Sequence, residues 1–119
     1  MYARDNVAGA NGRQQRPPGD AEVGVAVDML RMLGDGTRLR LMVLLGEGEQ
    51  DVTALVAAVG VARPAVSQHL AKLRLAGLVT VRRDGRRALY TARGGHVRRL
   101  VSEVLHAAAH HVTGEPEHD

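Results

Sequence analysis

Residues 63–79 read RPAVSQHLAKLRLAGLV. Ala65, Val66, Leu70 and Leu73 recur at helical spacing, which marks one apolar face. Around them stand Arg63, Pro64, Ser67, Gln68, His69 and Lys72. Gln can pair with adenine and Arg with guanine through two hydrogen bonds, and a DNA major groove admits one α-helix. The chemistry on offer is therefore base reading. An ordinary surface helix meeting only water shows the same periodicity, so the neighbourhood decides between them. Residues 62–99 hold ten basic residues and one acid, Asp84, and Arg82, Arg83, Arg86 and Arg87 crowd around Asp84-Gly85. So lopsided a block suits phosphate contact. An Arg-tipped hairpin beside a reading helix suits the sugar–phosphate backbone or the neighbouring minor groove.

A second set of residues is able to bind metal. Five of the six histidines, His96, His106, His110, His111 and His118, fall in the last quarter of the chain. On a helix, positions 96, 103 and 110 lie nearly on one line, and His106 and His110 are one turn apart, a spacing at which two imidazoles share an ion. If two such helices pair antiparallel across a two-fold axis, His96 of one chain approaches His110 of the other. A surface histidine is more often inert than a ligand, but this cluster in a chain without Cys points to a metal site. The lack of Cys also excludes disulfides, thiolate sites and cysteine nucleophiles, and makes a cytoplasmic location the simplest expectation. There is no nucleophile elbow or Gly-rich phosphate loop, and Glu103 is the only acid near the histidine stripe. The chain does not read as an enzyme.

The elements that position these residues follow from the pattern. At 119 residues the chain suits one small domain. Residues 1–20, rich in Gly, Asn, Gln, Arg and Pro, are expected to form a mobile arm. Residues 21–33 have helical periodicity and end at Gly34. Asp35 or Thr37 can cap the next helix, with Leu39, Met42, Val43 and Leu45 inward, stopped by Gly46 and Gly48. Asp51 or Thr53 starts a short helix closed by Gly60. Val61-Ala62 links tightly into the reading helix, whose first turn accommodates Pro64. Residues 78–92 alternate about Asp84-Gly85, the expected two-residue turn of a two-stranded ribbon. Residues 95–112 form a long helix with Val97, Leu100, Val101, Val104, Leu105 and Val112 on one side, and residues 113–119 are a flexible tail. No apolar run is long enough to span a bilayer. The result is a mainly α fold with a β-hairpin wing, a winged helix-turn-helix over residues 21–112.

Three segments, LRMLGDGTRLRLMVLLGEGE, DVTALVAAVGVARPAVSQHLAKLRLAGLV and VRRDGRRALYTA, together spanning residues 30–92, resemble the ArsR/SmtB family of bacterial repressors. That resemblance implies a homodimer joined through its first and last helices, bound to double-stranded operator DNA and in many members released by a metal. The apolar stripes of residues 23–33 and 97–112 agree, since they exceed what a lone small domain can bury. Metal sensors of the family place Asp-x-His near the start of the last helix and His-x-x-His or His-x-x-Glu further on. His96 and His110 match two of these ligand positions, whereas Gly94 and Ala107 occupy the other two, leaving His106, His111 and His118 as substitutes. The opening MYA, the SQHLAKLR and HVRRLV words and the His-bearing tail are most similar to an actinobacterial nickel/cobalt-sensing branch. Nickel and cobalt tolerate six-coordinate, nitrogen-rich sites, so either is expected as effector ahead of zinc. Two other readings remain open from the sequence: a repressor of this fold that no metal regulates, and an architectural protein that binds any duplex through the basic block.

Overall fold

The computed structural model describes residues 16–114. Most of the arm expected over residues 1–20 and of the tail over residues 113–119, with His118, lies outside them. The described chain forms α1 (Asp20–Leu33), α2 (Gly36–Glu47), β1 (Gln50–Asp51), α3 (Val52–Val59), α4 (Arg63–Leu75), β2 (Val79–Asp84), β3 (Arg87–Ala92) and α5 (Gly95–Thr113). No helix among the described residues is long and apolar enough to cross a membrane.

Local chemistry sets the boundaries. Of the two candidates for each cap, aspartate is the residue used. The Asp35 carboxylate accepts from the Arg38 backbone N–H at 3.0 Å, and that of Asp51 accepts from the Ala54 N–H at 2.8 Å. The Glu22 carboxylate likewise accepts from the Gly19 N–H and starts α1 one residue earlier than its periodicity indicates. Gly60 ends α3 at φ +69, a left-handed conformation that costs glycine little. Only residues 60–62 separate α3 from α4, which is the tight link of a helix-turn-helix. At the far end of α4, the Leu78 N–H donates to the Leu73 carbonyl and the Gly77 N–H to that of Arg74. This paired closure turns the chain sharply into β2 while Leu73 and Leu78 stay buried.

The core is aliphatic. Leu41, Met42, Leu45, Leu55, Val66, Leu70, Leu73, Leu78 and Val79 have at most 2% exposure. α2 lies at its centre, touching α1, α3, α4, α5 and β3, so its inward face is wider than a single stripe and takes in Leu41 as well as Met42 and Leu45. The buried triad Val66, Leu70 and Leu73 clamps α4 to that core and fixes which residues it turns outward.

The wing differs from its expected form in two ways. β1 adds a third strand, with sheet order β1-β3-β2, all neighbours antiparallel. The pairs Gln50↔Tyr90 and Asp51↔Leu89 cover the bare edge of β3. The turn also sits one residue later than Asp84-Gly85: Asp84 pairs with Arg87, leaving Gly85-Arg86 as the central residues. Gly85 has φ +63 and no non-glycine residue among those described has positive φ. Glycine first and a negative φ second is the type II′ arrangement, whose twist matches the flanking strands.

Candidate nucleic-acid interface and metal centre

With Val66, Leu70 and Leu73 held in the core, helical geometry puts Arg63, Pro64, Ser67, Gln68 and Lys72 on the exposed side of α4. Arg63, in the first turn, donates to Thr53 Oγ1 at 2.6 Å, so its guanidinium is fixed against the start of α3. Among the described residues, Ser67, Gln68 and Lys72 are exposed and make no such side-chain tie. His69 does not share their exposure. It is half-buried against the start of α2, with Nδ1 3.2 Å from Arg38 Nη1 and Nε2 4.0 Å from Asp35 Oδ2. The Arg38 backbone N–H, and after it the charges of Arg38 and His69, hold the Asp35 carboxyl below its usual range.

The four wing arginines divide. Arg82 makes a two-bonded clamp on Glu49, Nε to Oε2 at 2.7 Å and Nη2 to Oε1 at 2.9 Å. This clamp lowers the Glu49 carboxyl and raises the Arg82 guanidinium from their ordinary values, each by stabilising the charged form. Arg87 Nε stands 3.8 Å from Asp51 Oδ2. Arg83 and Arg86 are exposed and form no ion pair with the described residues, so the uncompensated charge of the wing lies at its tip. The sequence pattern shows the ten basic residues but not this partition. Glu49 and Asp51 come from the β1 segment, more than thirty residues upstream, and only the three-stranded sheet brings them to the wing.

The histidines lie along α5. His96 is in the first turn, its Nδ1 3.1 Å from Arg99 Nη2. His106 and His111 are exposed and His110 is half-buried, its backbone carbonyl accepting from Thr113 Oγ1 and from the capping Gly114 N–H. Among the described residues of one chain no three His, Cys, Asp or Glu gather so as to hold a metal ion. Fourteen residues of helix separate His96 from His110, about 21 Å, so both cannot serve one ion within a chain. The donor chemistry does suit a nitrogen-preferring ion. His106 and His110 supply an imidazole pair one turn apart, and any fuller set draws on a second chain or on residues outside those described. At His96 the guanidinium donates to Nδ1, so ligation through Nε2 requires Arg99 to swing aside and the ring proton to move.

The same helix leaves apolar surface bare. Val97 and Val101 face the core, while Leu100, Val104 and Leu105 are 42%, 49% and 38% exposed. α1 has no buried residue, and its Val23, Val27 and Leu30 form a second open stripe at 45%, 39% and 56%. An open groove of about 560 Å³ runs beside the α5 stripe, lined by Met42, Val43, Arg98, Val101, Leu105 and His106 among others.

Comparison with known proteins places this arrangement. Residues 35–81 match the family model described as bacterial regulatory protein, arsR family. The HTH-type transcriptional regulator KmtR of Mycobacterium tuberculosis is 43% identical over 102 residues, covering 86% of this chain and 78% of the relative. The HTH-type transcriptional regulator NmtR of the same organism is 35% identical, covering 86% of this chain and 87% of the relative. The solution structure of the homodimeric winged helix-turn-helix DNA-binding domain Mb0332 (fragment 1–100) from Mycobacterium bovis superposes with a TM-score of 0.74 at 30% identity, covering 88% of this chain and all of that one.

Proposed function

The chain belongs to the arsR family of bacterial transcriptional regulators, and from that premise we propose that it is a metal-responsive repressor that binds operator DNA as a homodimer. The observation that carries the DNA reading is the exposed face of α4, Arg63, Ser67, Gln68 and Lys72, set beside a wing whose open charge is Arg83 and Arg86. Ser67 and Gln68 read base edges from the first half of the helix, where a recognition helix enters the groove. Arg83 and Arg86 hold phosphate, which orients the protein without selecting sequence. Arg82 and Arg87 support the wing through Glu49 and Asp51.

The bare stripes of α1 and α5 support dimerisation. In a two-fold assembly each stripe meets its own copy or the other stripe, and two reading helices face a palindromic site. Nickel or cobalt, with zinc as the lesser alternative, supplies when bound a cross-link of imidazole nitrogens. Within each chain His106 and His110 offer the donor pair, and His96, His111 and His118 are the further candidates. Because these residues lie on the helix that carries the bare stripe, what they bind biases the angle between the two reading heads. Effector and DNA then oppose each other by one shared coupling free energy, typically about 1–3 kcal/mol.

One observation favours a second reading. Among the described residues of one chain no three-ligand group gathers, which fits a repressor answering to some other signal. Wild type, compared with the variant carrying His96→Ala and His110→Ala, separates the two. Wild type is expected to release promoter DNA when Ni(II) or Co(II) is added, and no release of wild type by either ion would favour the second reading. The variant is expected to bind promoter DNA as wild type does and to stay bound when either ion is added. Metal release equal to that of wild type would contradict the assignment of these ligands.

A further inference from the structure

Arg38 joins three helices. It lies in the first turn of α2, and its Nε donates to the Met32 carbonyl in the last turn of α1 at 2.7 Å. Its Nη1 stands 3.2 Å from Nδ1 of His69, in the middle of α4. Its backbone N–H is held by Asp35 Oδ2, and that oxygen is 4.0 Å from His69 Nε2. A guanidinium has only donors and keeps its charge. His69 Nδ1 must therefore accept, and the neutral ring carries its proton on Nε2, on the Asp35 side.

We infer that His69 is a positioning residue for DNA reading, not a base contact: its neutral ring ties the reading helix to α1 through Arg38, and protonation at Nδ1 unties it. The inference rests on the reading of α4 as the DNA-recognition helix. Among the described residues the charged groups against the ring are Asp35 and Arg38 on the α2 side, with Lys72 three residues further along α4; α1 reaches the ring through the Met32 carbonyl and Arg38. An imidazolium would keep the attraction of Asp35 at Nε2. At Nδ1 it would present a proton to a donor of like charge, and the Arg38 link would be lost. The side chain is 21% exposed, so protons reach it while a base edge would meet mostly its rim. α1 also carries one of the bare stripes assigned to the dimer, so the link runs from the assembly surface to the reading surface.

The two roles for His69 differ in sign. A histidine that touched DNA would bind more tightly on acidification, because its new charge would lie near phosphate. A histidine that positions α4 would bind more weakly. His69→Gln keeps an acceptor for Arg38 and a donor toward Asp35 without titrating. Wild type, H69Q and R38M are compared by fluorescence anisotropy on a duplex from upstream of the protein's own coding sequence and on a scrambled duplex. The buffers contain chelator at constant salt, from about pH 7.5 to about pH 5.5. Thermal unfolding at each pH confirms that each variant is folded. Wild type and H69Q are expected to bind alike at the upper pH with the same duplex preference, and wild type to lose about threefold to tenfold relative to H69Q at the lower, the scale of one charge-assisted hydrogen bond partly transmitted. R38M is expected to bind weakly throughout. Parallel profiles for wild type and H69Q, a relative gain on acidification, or a changed duplex preference in H69Q would overturn the inference and leave DNA reading by α4 standing. Failure of wild type to tell the two duplexes apart would overturn that reading and the inference with it.

Discussion

Leu30→Ala is the sharpest perturbation of the proposed assembly. Leu30 lies on the open stripe of α1 and is 56% exposed in the single chain. Fully burying a leucine side chain contributes about 1.5–3 kcal/mol, so covering the half still in water contributes about 1 kcal/mol. A two-fold interface loses that contribution twice, about 2 kcal/mol in all, which raises the dimer dissociation constant by about thirtyfold. Alanine is the best helix former, so α1 itself is not weakened. Sedimentation velocity across a dilution series reads the change directly. Leu75→Ala is the control: Leu75 is 90% exposed but sits at the end of α4, away from both stripes. The reasoning is refuted if L30A dissociates at the wild-type concentration, or if L75A loosens the dimer to the same degree.

Four further outcomes are expected. Arg86→Ala weakens binding to promoter and scrambled duplexes alike and lowers the slope of log affinity against log salt by about one, whereas Gln68→Ala costs about 1–3 kcal/mol on the preferred duplex and relaxes sequence preference; competition titrations separate these patterns. The Glu49 carboxyl is held below its ordinary value of 4.5 by Arg82, so the stability it adds is present above that value and drains as pH falls through the lower folded value. Glu49→Gln accordingly lowers the melting temperature at neutral pH and flattens its acid dependence in that window, as calorimetry at stepped pH will register. Leu70→Ala, at a side chain with 0% exposure beneath the reading face, destabilises the fold by about 2–5 kcal/mol in urea unfolding.

The helices of this chain are legible because their causes are local. Val66, Leu70 and Leu73 announce the buried face of α4, Pro64 its first turn, Gly60 the end of α3, and each capping Asp stands next to the turn it caps. The wing is less legible because its causes are distant. Gln50 and Asp51 have no strand pattern of their own and become β1 only because β3 offers an open edge. Glu49 lies 33 residues from Arg82, and only the folded sheet reveals their clamp. The Asp84-Gly85 word favours one turn, yet the cross-strand register places Gly85-Arg86 at the tip. His69 carried an unused signal. It lies three residues after Val66 and four before Leu73, at the margin of the buried stripe, so helical geometry already turned it toward α2. The α5 stripe divides for a related reason: Val97 and Val101 satisfy the chain's own core, leaving Leu100 and Val104 for another surface.

The most direct test of the account is a titration of labelled promoter DNA with the metal-free protein, beside a scrambled duplex, repeated with Ni(II), Co(II) and Zn(II) in turn. The account predicts tight binding to the promoter duplex, weak binding to the scrambled one, and release of the promoter by nickel or cobalt at ion concentrations that leave the fold intact. Equal affinity for both duplexes, untouched by any ion, would contradict it.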